Sequence, residues 1–403
     1  MKILFISQYF YPETFRGNDI AFHLAEKGHS VHVVAGIPNY PDGKFYDGYG
    51  LFRKRREVIN GVTVTRIPVV PRGVDSKLLL VLNYFSYMIN AWIYVLFHSI
   101  RNKYDRVFVQ QLSPVMMSVP GILYKKLRKT PLYTWVLDLW PESLSAAGGI
   151  TNKTVLKYFA HFSKKEYRWS DKILISSRSF TDSILKYGDY QSKIIYFPQW
   201  ADGQDASGNS FISMPTLPPG FKIMFTGAVG EAHGFECTMQ AALLTRENKD
   251  IKWIILGDGR KLEWVKEFVR DNELEDTVLT LGRYPSETMP QFYAQADVLL
   301  ASLSDDPLFS LYAPAKISSY MSSGKPILAV MNGEGSDVIR QADCGWTVPA
   351  GDSKGLADMA VKLSQTDGCV FKQKGANGLA FYNEHFVKSE CLRKLDSIMG
   401  LNI

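Results

Sequence analysis

The chain has 403 residues, 46% hydrophobic and 21% charged, which is too long for one ordinary domain and excludes a disordered or fibrous protein. Its four cysteines (Cys237, Cys344, Cys369, Cys391) form no paired framework and no close metal-ligand spacing, which argues against a disulfide-built secreted protein. The net charge of +6 conceals a split: residues 1–200 carry 27 Lys and Arg against 14 Asp and Glu (+13), and residues 201–403 carry 19 against 26 (−7). Only the first half would be drawn to an anionic surface. No helix-turn-helix, zinc-finger or aromatic RNA-binding signature accompanies that charge, so lipid is a better candidate than nucleic acid.

The opening MKILFISQYFYPE reads as a strand entering a polar turn and has no signal-peptide core. Further strands are expected at 30–35, 62–67, 106–110, 132–137, 172–176 and 193–197, and in the second half at 222–227, 252–257, 277–282, 297–302, 326–331 and 345–350. Most are near-continuous apolar runs, as in strands covered on both faces by helices, and they alternate with helical patterns twice over. That pattern means two doubly wound α/β domains, at 1–198 and 221–370. Residues 199–220, rich in Gly, Ser, Pro and Asp, read as a linker, and 371–403 as helices beyond a complete second domain.

Residues 78–100 (LLLVLNYFSYMINAWIYVLFHSI) are long enough to span a bilayer, yet contain Asn83, Asn90 and His98 and lie between strands of one sheet. A buried core helix, a helix seated in a membrane interface and a true span all remain open. The basic runs RKRR (53–56) and KKLRK (125–129) favour the interfacial choice, unless they are merely solvated faces.

Open α/β sheets bind ligands at the carboxyl ends of their strands, so the residues just past each strand are the candidates. After the first strand, Glu13, Arg16 and Gly17 precede a helix. Gly17 could admit a phosphate and Arg16 could add charge, or the segment is a plain turn. No G-x-G-x-x-G is present, which weakens a nicotinamide reading. WVLDLWPES sets Asp138 and Glu142 around Trp140: two carboxylates and an indole suit sugar hydroxyls and a sugar face, while Asp138 could equally be a helix cap. In the second half, Gly227, Gly230, His233 and Gly234 form a phosphate-loop pattern, and Asp258 with Arg260 follows the next strand. Pro314 then opens a short helix with Lys316 in its first turn. A cation is unfavourable for the helix dipole there, so it suggests an anionic ligand such as a diphosphate, or else points to solvent.

The order of G227-x-x-G-x-x-x-G234, LGDGR (256–260), ADVLLASL (296–303), P-x-K-x-x-x-Y-M-x-x-G-K-P (314–326) and CGWTVPAGD (344–352) resembles family 4 glycosyltransferases. The opening segment, PNYPDG (38–43) and DLWPES (138–143) are similar to enzymes of bacterial O-antigen and colanic acid assembly, in particular transferases of N-acetyl-L-fucosamine. The resemblance implies a GT-B fold: two Rossmann-like domains, an interdomain cleft and C-terminal helices crossing back to the first domain. It implies a retaining, metal-independent transfer from a UDP-sugar to a polyprenyl-diphosphate-linked sugar, by an enzyme peripheral on the cytoplasmic face of the bacterial inner membrane. The catalytic residues would be Asp138 and Glu142. The donor set would be Arg16, Gly17, Gly227, Gly230, His233, Gly234, Asp258, Arg260, Arg283, Tyr284, Pro314, Lys316 and Ser319. Two glutamates common in that family are replaced by Leu311 and Ser319, its first-loop Arg and Lys by Ala228 and His233, and a histidine by Gln111. Lys316, His233 and backbone amides are then the expected diphosphate ligands. A UDP-sugar 2-epimerase of the same fold and a non-catalytic scaffold are the alternatives.

Overall fold

The structure, a computed structural model of the chain, describes residues 1–74, 76–146, 149–201 and 215–401. The expected linker falls largely on 202–214, outside the described residues. The chain divides into two compact units, Met1–Phe197 with Leu392–Ile403, and Pro198–Cys391.

In the first unit, the strands are β1 (Lys2–Ile6), β2 (Ser30–Gly36), β3 (Arg56–Ile59), β4 (Val62–Ile67), β5 (Arg106–Gln111), β6 (Leu132–Val136), β7 (Lys172–Ile175) and β8 (Ile194–Tyr196). They form one sheet in the order β3-β4-β2-β1-β5-β6-β7-β8, parallel except for β3. The second unit holds β9 (Phe221–Thr226), β10 (Ile251–Leu256), β11 (Val278–Gly282), β12 (Val298–Ser302), β13 (Ile327–Val330) and β14 (Gly345–Val348), all parallel, in the order β11-β10-β9-β12-β13-β14. The central strands are buried on both faces, which is why they read as unbroken apolar runs. Each sheet reverses its strand order once, between β1 and β5 and between β9 and β12.

Strand β3 is the element that sequence reasoning missed, because RKRR was read only as charge. The overlooked signal is Asn60-Gly61, whose φ angles of 47° and 78° make the paired left-handed turn that matches strand twist. The hairpin is pinned by Arg66, fully buried, whose Nε and guanidinium nitrogen donate to Glu57 Oε1 at 3.0 and 2.8 Å. Part of each basic run is engaged within the fold. Arg55 donates to the carbonyls of Arg66 and Leu51, Lys125 pairs with Asp171 at 2.6 Å, and Lys126 lies over the Trp169 ring.

The long apolar segment is one helix, Lys77–Arg101, opened by Ser76 capping the Leu79 N–H and closed by Arg128 donating to the Ser99 and Ile100 carbonyls. Its inner face repeats every fourth residue: Asn83, Tyr87, Ala91, Val95 and Ser99 are buried. Asn83 accepts from Gln8, and the Tyr87 hydroxyl donates to the Val34 carbonyl of β2, so the helix is tied to the sheet. Only 22% of its most apolar stretch is buried, which removes the wholly buried core helix from the three alternatives. Leu78, Leu82, Ile89, Ile93, Phe97 and Ile100 are exposed.

The expected return to the first unit at residue 371 moves to Leu392. Helix Gly368–His385 stays with the second unit because Gly375 lets it approach the Gly324 carbonyl so closely that a Cβ would overlap it. From Leu392 the last helix belongs to the first unit: Asp396 accepts from His23 at 2.9 Å, and the Met399 carbonyl accepts from Arg106 at 3.0 Å.

Removing one partner of a buried pair leaves the other charge uncompensated. Glu57→Ala should therefore lower the stability of the first unit by about 3 kcal/mol in urea unfolding, and a loss under about 1 kcal/mol would show that Arg66 does not depend on this pair.

Candidate functional site

In the second unit, the order reversal places the ends of β9 and β12 side by side, the position at which open α/β sheets take their ligands. The loop after β9 (227–234) and the loop after β12 meet here: Ser304 N–H donates to the Ala232 carbonyl at 3.0 Å, and Gly234 sits against Ser304. The turn after β10 packs behind them. A Cβ on Gly257 would overlap the Gly227 carbonyl, and Val229 N–H donates to the Asp258 carbonyl at 2.9 Å. Asp258 itself is exposed, and its carboxylate accepts from the Gly259 N–H, so it shapes this turn.

Helix Ala315–Ser322 is capped by Pro314 and fixed to the sheet by Tyr320, whose buried hydroxyl accepts from Thr226 N–H at 3.0 Å. That anchor sets the direction of Lys316. Part of its stem reaches the surface, but Nζ is buried and has no hydrogen-bond partner. It lies 3.7 Å from the Phe225 ring centroid and faces Gly227, where a Cβ would come within 3.5 Å of it. Burial pulls the pKa of this amine down to about 7. A desolvated cation–π contact contributes roughly 2 kcal/mol, less than the several kcal/mol that desolvating an ammonium costs. The cation lacks a partner of sufficient strength within its own fold, and the alternative that Lys316 points to solvent is excluded.

His233 belongs to the same cluster, its ring edge-on to Phe225. Nδ1 lies 3.0 Å from the Ser302 carbonyl, which can only accept, so Nδ1 carries the proton and Nε2 presents a lone pair. Burial and the Lys316 charge pull the pKa of this imidazole down to about 4. It is therefore a neutral hydrogen-bonding group, not a second cation. Sequence reasoning missed Phe225 and Ser302. The Ser302 hydroxyl is buried without a partner beside this cluster, and only the register of β12 could have singled it out.

Gly230 stays with the cluster, its carbonyl accepting the His233 N–H at 3.0 Å, and a side chain there would meet open space. The Ser319 carbonyl accepts from Ser322 within its own helix. Arg283 is exposed at the end of β11, the edge strand, and Tyr284 packs against Phe292 at 4.7 Å. Arg260 is exposed next to the Asp258 turn.

In the first unit, the corresponding reversal lies between β1 and β5. Gly17 does permit a close approach, but by the Gln110 side chain, which a Cβ would overlap; Arg16 pairs with Asp19 at 3.7 Å. Asp138 accepts from Ser113 Oγ at 2.5 Å, from the Trp140 indole at 3.0 Å and from the Ser143 hydroxyl, so its carboxylate is held by its own neighbours. Trp140 is 6% exposed, edge-on to Phe159, so it is a loop anchor and not the open sugar platform expected. Burial raises the Glu142 carboxyl above the usual range. Glu13, on the same edge, is buried and accepts from the N–H groups of Asn39, Tyr40 and Phe10, and burial still lifts it to about 7. Close by, Arg72 lies over Tyr40 and Gln8, Gln110 and Gln111 each leave one buried amide atom unpaired. Among the described residues no group of three or more His, Cys, Asp or Glu is arranged to hold a metal ion.

Residues 220–366 match the family described as Glycosyl transferases group 1. The chain is 26% identical over 249 residues to "Probable glycosyltransferase WbjE" of Pseudomonas aeruginosa, covering 58% of this chain and 61% of that one. It is 26% identical over 151 residues to the amylovoran biosynthesis glycosyltransferase AmsK of Erwinia amylovora, covering 37% of each. The matches thus span less than two thirds of these relatives. Across 98% of both chains, it superposes on a sucrose-phosphate synthase from Thermosynechococcus elongatus with a TM-score of 0.73 at 14% identity. Anabaena HepE in complex with UDP superposes over the full length of both chains with a TM-score of 0.71 at 15% identity. The fold is that of GT-B glycosyltransferases, and the second unit carries a group 1 glycosyltransferase domain.

A lysine whose amine has a lower pKa folded than unfolded binds its proton only in the unfolded state between the two values, so stability rises with pH in that window. For Lys316 the window runs from about 7 to the ordinary 10.5. The stability of Lys316→Met relative to the parent should therefore decline from pH 8 to 10 by up to about 1.4 kcal/mol per pH unit, read by urea unfolding without ligand. A difference that is flat with pH would contradict the burial of the ammonium.

Proposed function

We propose that the protein transfers a sugar, N-acetyl-L-fucosamine, from a UDP-sugar to a polyprenyl-diphosphate-linked acceptor sugar in bacterial surface polysaccharide synthesis. The observation that carries the reading is the buried, unpartnered ammonium of Lys316 at a helix start, facing a glycine loop at the switch point of the second sheet. A diphosphate is the ligand that suits it, because it brings negative charge to a site that combines a helix start with a buried amine. The group 1 domain over 220–366 and the polysaccharide-building relatives support the same reading.

In the proposed reaction, the bond between the anomeric carbon and the diphosphate oxygen breaks, and the bond to the acceptor hydroxyl oxygen forms on the same face. The hydroxyl proton passes to the departing diphosphate. Lys316 stabilises the charge that develops on the leaving group, so its contribution grows toward the transition state and no metal ion is required. His233 Nε2 accepts a hydrogen bond from a donor-sugar O–H or N–H. Asp138, held in place by Ser113, Trp140 and Ser143, orients the acceptor hydroxyl.

The acceptor's lipid tail places the work at the cytoplasmic face of the inner membrane. The exposed apolar face of helix Lys77–Arg101, on the half of the chain that carries +13, suits an interfacial seat on an anionic leaflet. A soluble 2-epimerase has no use for such a face.

Lys316→Ala should bind UDP ~10- to 100-fold more weakly by calorimetry, and this should hold with EDTA present. Unchanged UDP affinity would refute the placement, and a panel of UDP- and GDP-sugars would name the donor. In a separate measurement, Ile93→Ser/Phe97→Ser should release the protein from anionic vesicles while UDP binding persists; vesicle binding equal to that of the parent would show that this face is not the seat.

A further inference from the structure

Around the starts of β1, β2 and β4 in the first unit, at the edge opposite the strand ends described above, lies a cavity of about 400 Å³. Four basic side chains line it: Lys2 on β1, Arg56 on β3, Arg101 at the end of the long helix, and Lys103 just beyond. Its floor is a hydrogen-bonded group in which the Tyr104 hydroxyl meets His98 Nε2 at 2.8 Å and also His32 Nδ1. Burial, and after it neighbouring positive charge that includes Arg56, holds both imidazoles below their ordinary pKa, so the floor stays neutral.

Among the described residues no carboxylate lines this cavity. Asp105, next along the chain, accepts the main-chain N–H of Lys2 at 2.7 Å. Among the described residues, none of the four cationic groups has an ion pair or hydrogen bond with the protein. Four like charges around one hollow repel each other, and a phosphate-sized anion would relieve that repulsion while accepting charge-assisted hydrogen bonds from several of them. The rim shows which anion. Ile100 lines the cavity and is 66% exposed, and Phe97, one turn earlier, is 65% exposed. They continue the bare apolar face of the same helix. A free phosphate has no use for an apolar rim, whereas a phospholipid needs both surfaces.

We infer that this cavity seats the phosphate headgroup of an anionic phospholipid whose acyl chains lie along Phe97 and Ile100. The inference rests on the membrane seat proposed above and adds a specific site to it. The helix of 25 residues, about 37 Å long, has its first turns near the Asn83 and Arg72 end and its last turn at the cavity. A lipid held at the far end would fix the heading of the helix on the membrane and hold its other end toward lipid-borne acceptor.

The test uses the full chain and vesicles of phosphatidylcholine with and without phosphatidylglycerol, at constant ionic strength. Arg101→Gln/Lys103→Gln should weaken binding to phosphatidylglycerol vesicles roughly tenfold or more. The control pair Lys164→Gln/Lys165→Gln, which removes the same charge from another exposed helix, should weaken it less than threefold, and all variants should bind UDP as the parent does. Equal losses for the two pairs would mean diffuse attraction and would overturn the site. If Ile93→Ser/Phe97→Ser detaches the protein while the cavity pair does not, the membrane seat stands and the headgroup site falls. If inorganic phosphate raises the melting temperature of the parent but not of the cavity pair, while both bind vesicles equally, the cavity takes free phosphate and the lipid assignment is overturned.

Discussion

A single uncompensated charge organises the second unit. The Lys316 ammonium is held out of water above the Phe225 ring, with no acceptor within its fold. The surrounding structure keeps it there: Tyr320 locks its helix to β9, and Gly257 lets the turn after β10 support the Gly227 loop from behind. His233 is kept neutral partly by that same charge and is oriented by the Ser302 carbonyl. In the unliganded protein the burial of this amine is a standing cost to stability, seen in its lowered pKa, and an anion bound beside it would offset that cost.

The first unit shows the same economy at a larger scale. The helix Lys77–Arg101 satisfies its polar residues inward, through Asn83 and Tyr87, and leaves its large apolar residues outside. An exposed apolar face of this size marks a surface made for a partner, and the membrane seat proposed above is the partner that would use it.

Much of the fold was legible in the sequence because buried parallel strands carry a strong signal: KILFIS, KIMFTG and their counterparts are apolar on both faces and recur at helix-and-strand intervals. Strand β3 was obscured because the basic run 53–56 that leads into it outweighed the Asn60-Gly61 turn that closes it. At the site, composition pointed to Lys316 through its awkward place in a first turn, but only packing shows that the ammonium is buried. Gly17 and Trp140 carry the opposite lesson. Each has the residue type that a ligand would require, and in each the chain itself, Gln110 in one case and Phe159 with Ser113 in the other, fills that role. No spacing rule separates a glycine cleared for a phosphate from one cleared for a glutamine.

The central claim is that Lys316 is a buried amine awaiting a diphosphate, and NMR of side-chain-labelled lysine, with Lys316→Met to assign the resonance, tests it most directly. The account predicts a lysine titrating near 7 in the free protein and moving up by more than two pH units when UDP saturates the site. A Lys316 amine that titrates at the ordinary lysine value in the free protein, or does not respond to UDP, would contradict it.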